Sequence, residues 1–319
     1  MQKLILVTGG AGFIGSHLVE RLLGEGHRVV VVDNCSTGTR NNLSHLASEP
    51  RLNFVESTVS ECPDLDRLAA DARYIFHLAA AVGVELVVKS PIATIHTNLK
   101  ETEVLLDAAH RSRVPVLVAS TSEVYGKSSR DEFAESDDLL IGPPTLGRWS
   151  YACSKLMDEF MAMAYHRERS LPVTITRFFN TVGPRQTGRY GMVLPRFIGA
   201  AKSGAPLLIH GTGQQSRCFC HVRDTVEALV RLMQTPAAMG EVVNVGSTEE
   251  ITIENLARLV IREMNSNSKL EFIPYDKAYS PGFEDMQRRR PSVDKLERLT
   301  GFRPSTPLRD IIRSTANAS

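Results

Sequence analysis

Thr8-Gly9-Gly10-Ala11-Gly12-Phe13-Ile14-Gly15 is the stretch on which the reading of this chain turns. Ahead of it runs Leu4-Ile5-Leu6-Val7, a continuous apolar run of the kind that a strand covered on both faces requires. Behind it Phe13, Ile14, His17, Leu18 and Leu22 recur at helical spacing, which puts the glycines at a strand-to-helix turn. The first N–H groups of such a helix point outward with the positive end of its dipole and suit a pyrophosphate. Gly10 permits the tight turn, Gly12 lets a phosphate approach the backbone, and Gly15 lets helix pack closely on strand. Gly9, Phe13 and Ile14 complete the expected cradle.

A glycine pattern alone is equally an ordinary turn. Here a second strand, residues 29–32, follows the helix and ends at Asp33-Asn34. A carboxylate about 20 residues past the loop accepts both hydroxyls of an adenosine ribose. Its charge repels a 2′-phosphate, so the expected cofactor is NAD rather than NADP.

The 319 residues are 42% hydrophobic, enough for one large α/β unit or two closely joined domains. Lys and Arg number 37 against 36 Asp and Glu, a net charge of +1 that offers no general surface for nucleic acid. No apolar stretch approaches the ~20 residues of a membrane span, and the first apolar run passes straight into the glycine loop, unlike a signal peptide. The five cysteines show no zinc-type spacing and no metal is expected. Cys218-Phe219-Cys220 would set two thiols on one side of a strand, more often packing than chemistry. A reducing cytoplasm fits best.

Strand and helix signals alternate through the first half, which predicts a doubly wound parallel sheet of Rossmann type. Further strands are expected at residues 52–55, 74–78, 114–119 and 173–177, with long helices over 92–111 and 150–169. After Phe178, glycines and prolines break the chain into short pieces. The expected division is a dinucleotide-binding domain over 1–177, to which 218–247 return, and a smaller, interleaved substrate lobe over the rest of 178–319.

Tyr151-Ala-Cys-Ser-Lys155 places a phenol and an ammonium one helical turn apart, on one face. A fixed cation stabilises phenolate, so Lys155 is expected to lower the Tyr151 pKa and let it take a proton from a sugar hydroxyl. Lys155 could also hold the nicotinamide ribose. By itself this spacing is commonplace on solvated helices; after a dinucleotide turn it gains weight.

The glycine turn, His77-Leu78-Ala79-Ala80, Thr121-Ser122-Glu123-Val124-Tyr125-Gly126 and Tyr151-x-x-x-Lys155 together resemble the extended short-chain dehydrogenases. More narrowly, the chain resembles the NAD-dependent epimerase/dehydratase family, from its first strand to about residue 308. That resemblance implies an NAD reduced and reoxidised within one turnover, acting on a nucleotide sugar, a UDP-sugar above all. It implies that Thr121 hydrogen-bonds the reacting hydroxyl, that Ser122 lies beside the substrate, and that Leu78, Ala79 and Ala80, with Asn98, flank the cofactor. His77 reads as a packed core residue. Relatives often carry Gly-Asp-Ile where this chain has Ser57-Thr58-Val59, so Thr58 meets adenine without a carboxylate. In the second lobe Asn180, Arg185, Arg217 and Arg289 match positions that hold the substrate diphosphate. The family also implies a homodimer through the two long helices.

From a 4-ketone three outcomes are open: hydride return to the other face, loss of a neighbouring carboxylate, or elimination of water. Dehydratases set an Asp-Glu pair after the catalytic Thr; Ser122-Glu123 lacks the acid, which disfavours elimination. Thr121-Ser122-Glu123, Arg148-Trp149, Asn180 and Arg289 resemble positions in UDP-glucuronate decarboxylases. The stretches 186–195 and 281–286 resemble bacterial 4-epimerases instead. On balance the expectation is a 4-epimerase of a UDP-hexose or UDP-hexuronate, with the decarboxylase second and a non-catalytic NAD-binding scaffold a remote third.

Overall fold

The computed structural model describes residues 3–81, 90–188, 192–278 and 286–318. β1 (Leu4–Thr8) leads through the glycine turn into α1 (Phe13–Gly24), and β2 (Arg28–Val32) returns to lie parallel beside β1. β3 (Leu52–Val55), α2 (Leu65–Asp71) and β4 (Ala72–His77) follow. Then come the long α3 (Pro91–Ser112), β5 (Val116–Thr121), the similarly long α4 (Trp149–Arg169) and β6 (Val173–Phe178).

Past β6 the elements shorten to β7 (Thr181–Val182), α5 (Val193–Ser203), β8 (Leu207–His210), β9 (Ser216–Cys218) and β10 (Cys220–His221). Next α6 (Val222–Gln234) packs against α1, and β11 (Glu241–Val245) pairs in parallel with β6. The chain leaves again through β12 (Glu250–Thr252), α7 (Ile253–Glu263), β13 (Leu270–Ile273), α8 (Asp294–Thr300) and α9 (Leu308–Ala318). Residues 216–221 do not join the large sheet, because β9 pairs with β12 and β10 with β7. Cys218 and Cys220 therefore sit on two different strands, both buried. We propose to divide the chain accordingly, with α6 and β11 belonging to the dinucleotide-binding unit.

The large sheet runs β11-β6-β5-β4-β1-β2-β3, and every neighbouring pair is parallel. Strand order reverses at β1 and β4, so a ligand crevice opens beyond their carboxyl ends. Alternation sorts the strand side chains. Ile5, Val7, Val29 and Val31 pack on α1 and α6, while Leu6, Val30 and Val32 join the opposite layer with α2, α3 and α4. A third core gathers α5, α7 and α9 in the second lobe.

One polar contact reaches through this packing. Glu159 on α4 accepts from Arg177 on β6 at 3.0 and 2.7 Å and from the Ser120 hydroxyl on β5. All three are buried. Removing one partner of such a pair strands the other charge, so Glu159→Ala should cost about 3–5 kcal/mol of unfolding free energy, read by urea denaturation.

Candidate active site

The glycine turn is packed too closely against itself and its neighbouring strands to admit side chains. A Cβ on Gly15 would come 2.1 Å from the Gly9 carbonyl, and one on Gly9, at φ +73°, 2.6 Å from the Ala79 nitrogen. Gly10 abuts Val31 in the same way, at 2.7 Å. Gly12 stands at the N-terminus of α1 with no side-chain cap, so the first-turn N–H groups at Phe13 and Ile14 face the crevice without a side-chain competitor. Asp33 is buried at the end of β2 and accepts from Ala11 N at 2.8 Å and Cys35 N at 2.7 Å. Each carboxylate oxygen keeps a second lone pair for a ribose hydroxyl. These features fit NAD.

The remaining cofactor-side residues are arranged around that turn. Asn34 is exposed, its Oδ1 accepting from Ser36 N at 3.1 Å. The Thr58 hydroxyl is engaged within its own loop, by Glu61 N and Glu61 Oε2, both at 3.1 Å. Glu101 on α3 braces that loop through Ser60 N at 2.8 Å and Ser60 Oγ at 2.7 Å. After β4, Leu78 N donates to the Thr8 carbonyl at 3.0 Å and Ala79 N to the Thr8 hydroxyl at 3.4 Å; Ala80 follows, partly buried. Buried Asn98 ties this strand end to α4, accepting from Ala81 N at 2.8 Å and donating to Ser154 Oγ at 3.0 Å. His77 is hydrogen-bonded to Thr8 and Thr102; burial, aided by Lys155, pushes its pKa down to about 3.

Tyr151 and Lys155 occupy the first two turns of α4, and Thr121 ends β5. The Thr121 side chain hydrogen-bonds Tyr151 and also accepts from Glu123 N at 3.2 Å. One expectation needs correcting. Lys155 Nζ, buried, donates to Asp158 at 2.8 Å instead of supplying a surplus charge to the phenol. Burial, then Glu123 and Asp158, raise the Tyr151 pKa above its ordinary value, and only the Thr121 bond opposes them. Asp158, one turn past Lys155 on the same face, is the site neighbour that motif reading passes over; its i,i+3 spacing to Lys155 was the available signal.

Glu123 is the centre of a second group. Arg289 Nη1 and Arg148 Nη2 (3.2 Å) both donate to it, and Arg289 Nη2 reaches Asn180 Oδ1 at 3.0 Å. Burial works against the Glu123 charge, yet Arg289, Arg148 and Arg217 together hold its carboxyl below the usual range. Asn180, in the left-handed region at φ +36°, donates to the Cys218 carbonyl at 2.9 Å. Arg217 lies buried on β9, bonded to the Ser216 carbonyl at 2.7 Å, and Ser122 is buried in the short turn after β5. Of the three consecutive arginines, Arg288 binds Glu250 and Asp131 and Arg290 faces Glu132, which leaves Arg289 for the site. Arg185 is placed elsewhere than expected: it pairs with Glu20 at 2.6 Å and Ser16 at 3.3 Å on α1, apart from the Glu123 group. Of the stretches resembling epimerases, residues 189–191 and 281–285 lie outside the described residues.

The NAD dependent epimerase/dehydratase family matches residues 5–246. A UDP-N-acetyl-alpha-D-glucosaminuronate decarboxylase of Bacillus cytotoxicus is 39% identical over 316 residues, 99% of this chain and 97% of that one. A UDP-glucuronic acid decarboxylase 1 of Danio rerio is 35% identical over 98% of this chain and 72% of its own length. The crystal structure of UDP-glucuronic acid 4-epimerase from Bacillus cereus, in complex with UDP-glucuronic acid and NAD, superposes with a TM-score of 0.88. It is 29% identical and covers 99% of this chain and 98% of that one.

Asp33→Ala removes a carboxylate that orders the turn and, on the expected placement of NAD, would meet the ribose. With hydrogen bonds to charged groups worth about 1.5–3 kcal/mol, NAD affinity should fall roughly tenfold to a hundredfold and the preference over NADP should narrow. Calorimetric titration of both dinucleotides checks this.

Proposed function

The chain belongs to the NAD dependent epimerase/dehydratase family, and from that premise we propose that it is a decarboxylase of a UDP-hexuronate. This reverses the order reached on sequence alone, where inversion at C4 came first. The observation that carries the reading is Glu123, an ionised carboxylate held by Arg289 and Arg148 within the field of Tyr151. The two decarboxylases matched over nearly all of this chain support it.

Bound NAD supplies reversible oxidation at C4 of the sugar. Tyr151 accepts the proton of the C4 hydroxyl, with Thr121 fixing the hydroxyl's direction. Once C4 is a ketone, the C5 carboxylate belongs to a β-keto acid and the bond to it is weakened. A fixed negative charge at Glu123 disfavours a second carboxylate nearby. As the bond to C5 breaks, carbon dioxide leaves, the electron pair passes to the C4 oxygen as an enolate, and C5 then takes up a proton from solvent to restore the ketone. Arg289, joined to Asn180, and Arg217 are cations suited to the diphosphate.

We further propose a homodimer, formed where α3 and α4 expose Ile92, Ile95, Met157 and Phe160. No helix of the described residues is long and apolar enough to cross a membrane, and all five cysteines are free, in keeping with the cytoplasm where we place the protein. Light scattering at micromolar concentration should return twice the chain mass.

The reaction is tested by incubation with UDP-glucuronate, UDP-N-acetylglucosaminuronate and UDP-glucose, followed by mass analysis. Loss of carbon dioxide from a hexuronate is expected; C4 inversion at unchanged mass, with no loss, would return the 4-epimerase reading. Tyr151→Phe should keep substrate binding and lower turnover about 10²–10⁴-fold. Glu123→Gln should slow release of carbon dioxide, and Arg289→Ala should mainly raise KM.

A further inference from the structure

We infer that Asp158 is a positioning residue for the reaction: buried one turn beyond Lys155, it anchors the Lys155 ammonium and offsets its charge beside Tyr151. The inference rests on the reading of Tyr151 as the base and says what sets its working pH.

Asp158 is fully buried and Lys155 nearly so, and their bond is 2.8 Å. Such a pair is a poor way to stabilise a helix, since desolvating two charges offsets most of their attraction and apolar side chains would pack there at less cost. The surroundings explain it better as a charge-setting device. From α3, the Thr102 hydroxyl supports Asp158 and also bonds His77 on β4, which is neutral in this setting. From α4 itself, Glu159 is matched by Arg177 on β6. After β5, Glu123 is matched by Arg289 and Arg148, with Arg217 on β9 beyond them. Among the described residues, the other carboxylates near Tyr151 are thus each held by a guanidinium. Without Asp158, Lys155 would be a surplus cation one turn from the phenol, and the phenolate would form at lower pH. With Asp158 the lysine keeps its place in the crevice while its electrostatic pull on Tyr151 is largely cancelled. Burial and the carboxylates then dominate, as the raised Tyr151 pKa reflects.

The test uses the NAD-loaded enzyme. In Asp158→Asn the rising limb of the kcat–pH profile should move to lower pH by about one unit, the order expected for removal of one nearby charge. Tyrosinate absorbance, taken as the difference from the same protein carrying Tyr151→Phe, should move in the same direction without sugar present. Lys155→Met/Asp158→Asn, which removes both charges, should return towards wild type, and Asp158→Glu should restore the original profile. A folded Asp158→Asn protein whose tyrosinate titration and pH profile superimpose on wild type overturns the inference. Should Asp158→Asn fail to fold, Lys155→Met is compared with the double variant. Removal of the carboxylate should then lower the Tyr151 titration, and identical curves overturn the inference. A tyrosinate titration that moves while turnover does not follow upholds the role of Asp158 and counts against Tyr151 as the base.

Discussion

The bond between Glu159 and Arg177 is the contact on which the geometry of the site depends. Tyr151 and Lys155 sit on the first two turns of α4, but neither fixes where that helix lies. Glu159 does, because it reaches both β5 and β6 at once. Ser120, its partner on β5, immediately precedes Thr121, so the contact that locks the helix also sets Thr121 against Tyr151. An apolar seam would tolerate sliding by a fraction of a turn. A two-pronged guanidinium–carboxylate contact does not, and its directionality supplies register where packing alone would leave latitude. Arg177 also lies over the Tyr125 ring at 4.8 Å, which couples β6 to the turn that carries Glu123.

Around that frame the described residues of the site are crowded with ions held against one another. Glu123 faces Arg289 and Arg148, Lys155 faces Asp158, and Glu159 faces Arg177. In a buried setting an unbalanced charge is costly, so each is held by its partner in a definite direction. The phenol of Tyr151 is the neutral group among them, and burial keeps its proton on. Its ionisation therefore responds to any charge brought into the crevice, a condition under which chemistry stays quiet until the reactants are in place.

The parts legible in the sequence are those whose signal is local. The glycine turn, Asp33 and the Tyr151/Lys155 pair are each written within a few residues of one another or at the end of an apolar run. The strand pattern is legible for the same reason, since a run buried on both faces must be continuously apolar. What escaped depends on contacts between distant residues. Arg185 follows directly on the substrate-like stretch at Asn180, but its partners Glu20 and Ser16 lie on α1, and nothing near Arg185 announces them. The use that Asp158 makes of Lys155 was visible as a spacing, yet only burial gives that spacing meaning. The reaction was hardest to read. Two short stretches pointed to inversion, whereas likeness along nearly the whole chain favours loss of a carboxylate.

Both outcomes pass through one ketone, so the enzyme's choice is a partition between two barriers, and about 1.4 kcal/mol of difference is a factor of ten. Inversion at C4 requires the sugar to let go, turn over and be received on its other face. Decarboxylation requires the reverse: a ring held still while the C5 carboxylate stands clear of the ketone plane. Arg289 belongs at once to Glu123 and to Asn180, and Asn180 is tied to the backbone at Cys218. This bracing holds the Glu123 carboxyl below the usual range, so that in the proposed reaction it would oppose a retained carboxylate, while the charge left on the sugar after carbon dioxide departs would pass to the C4 oxygen as an enolate. On the decarboxylase reading we propose, the charge at Glu123 is therefore what would bias the shared ketone towards loss of the carboxylate.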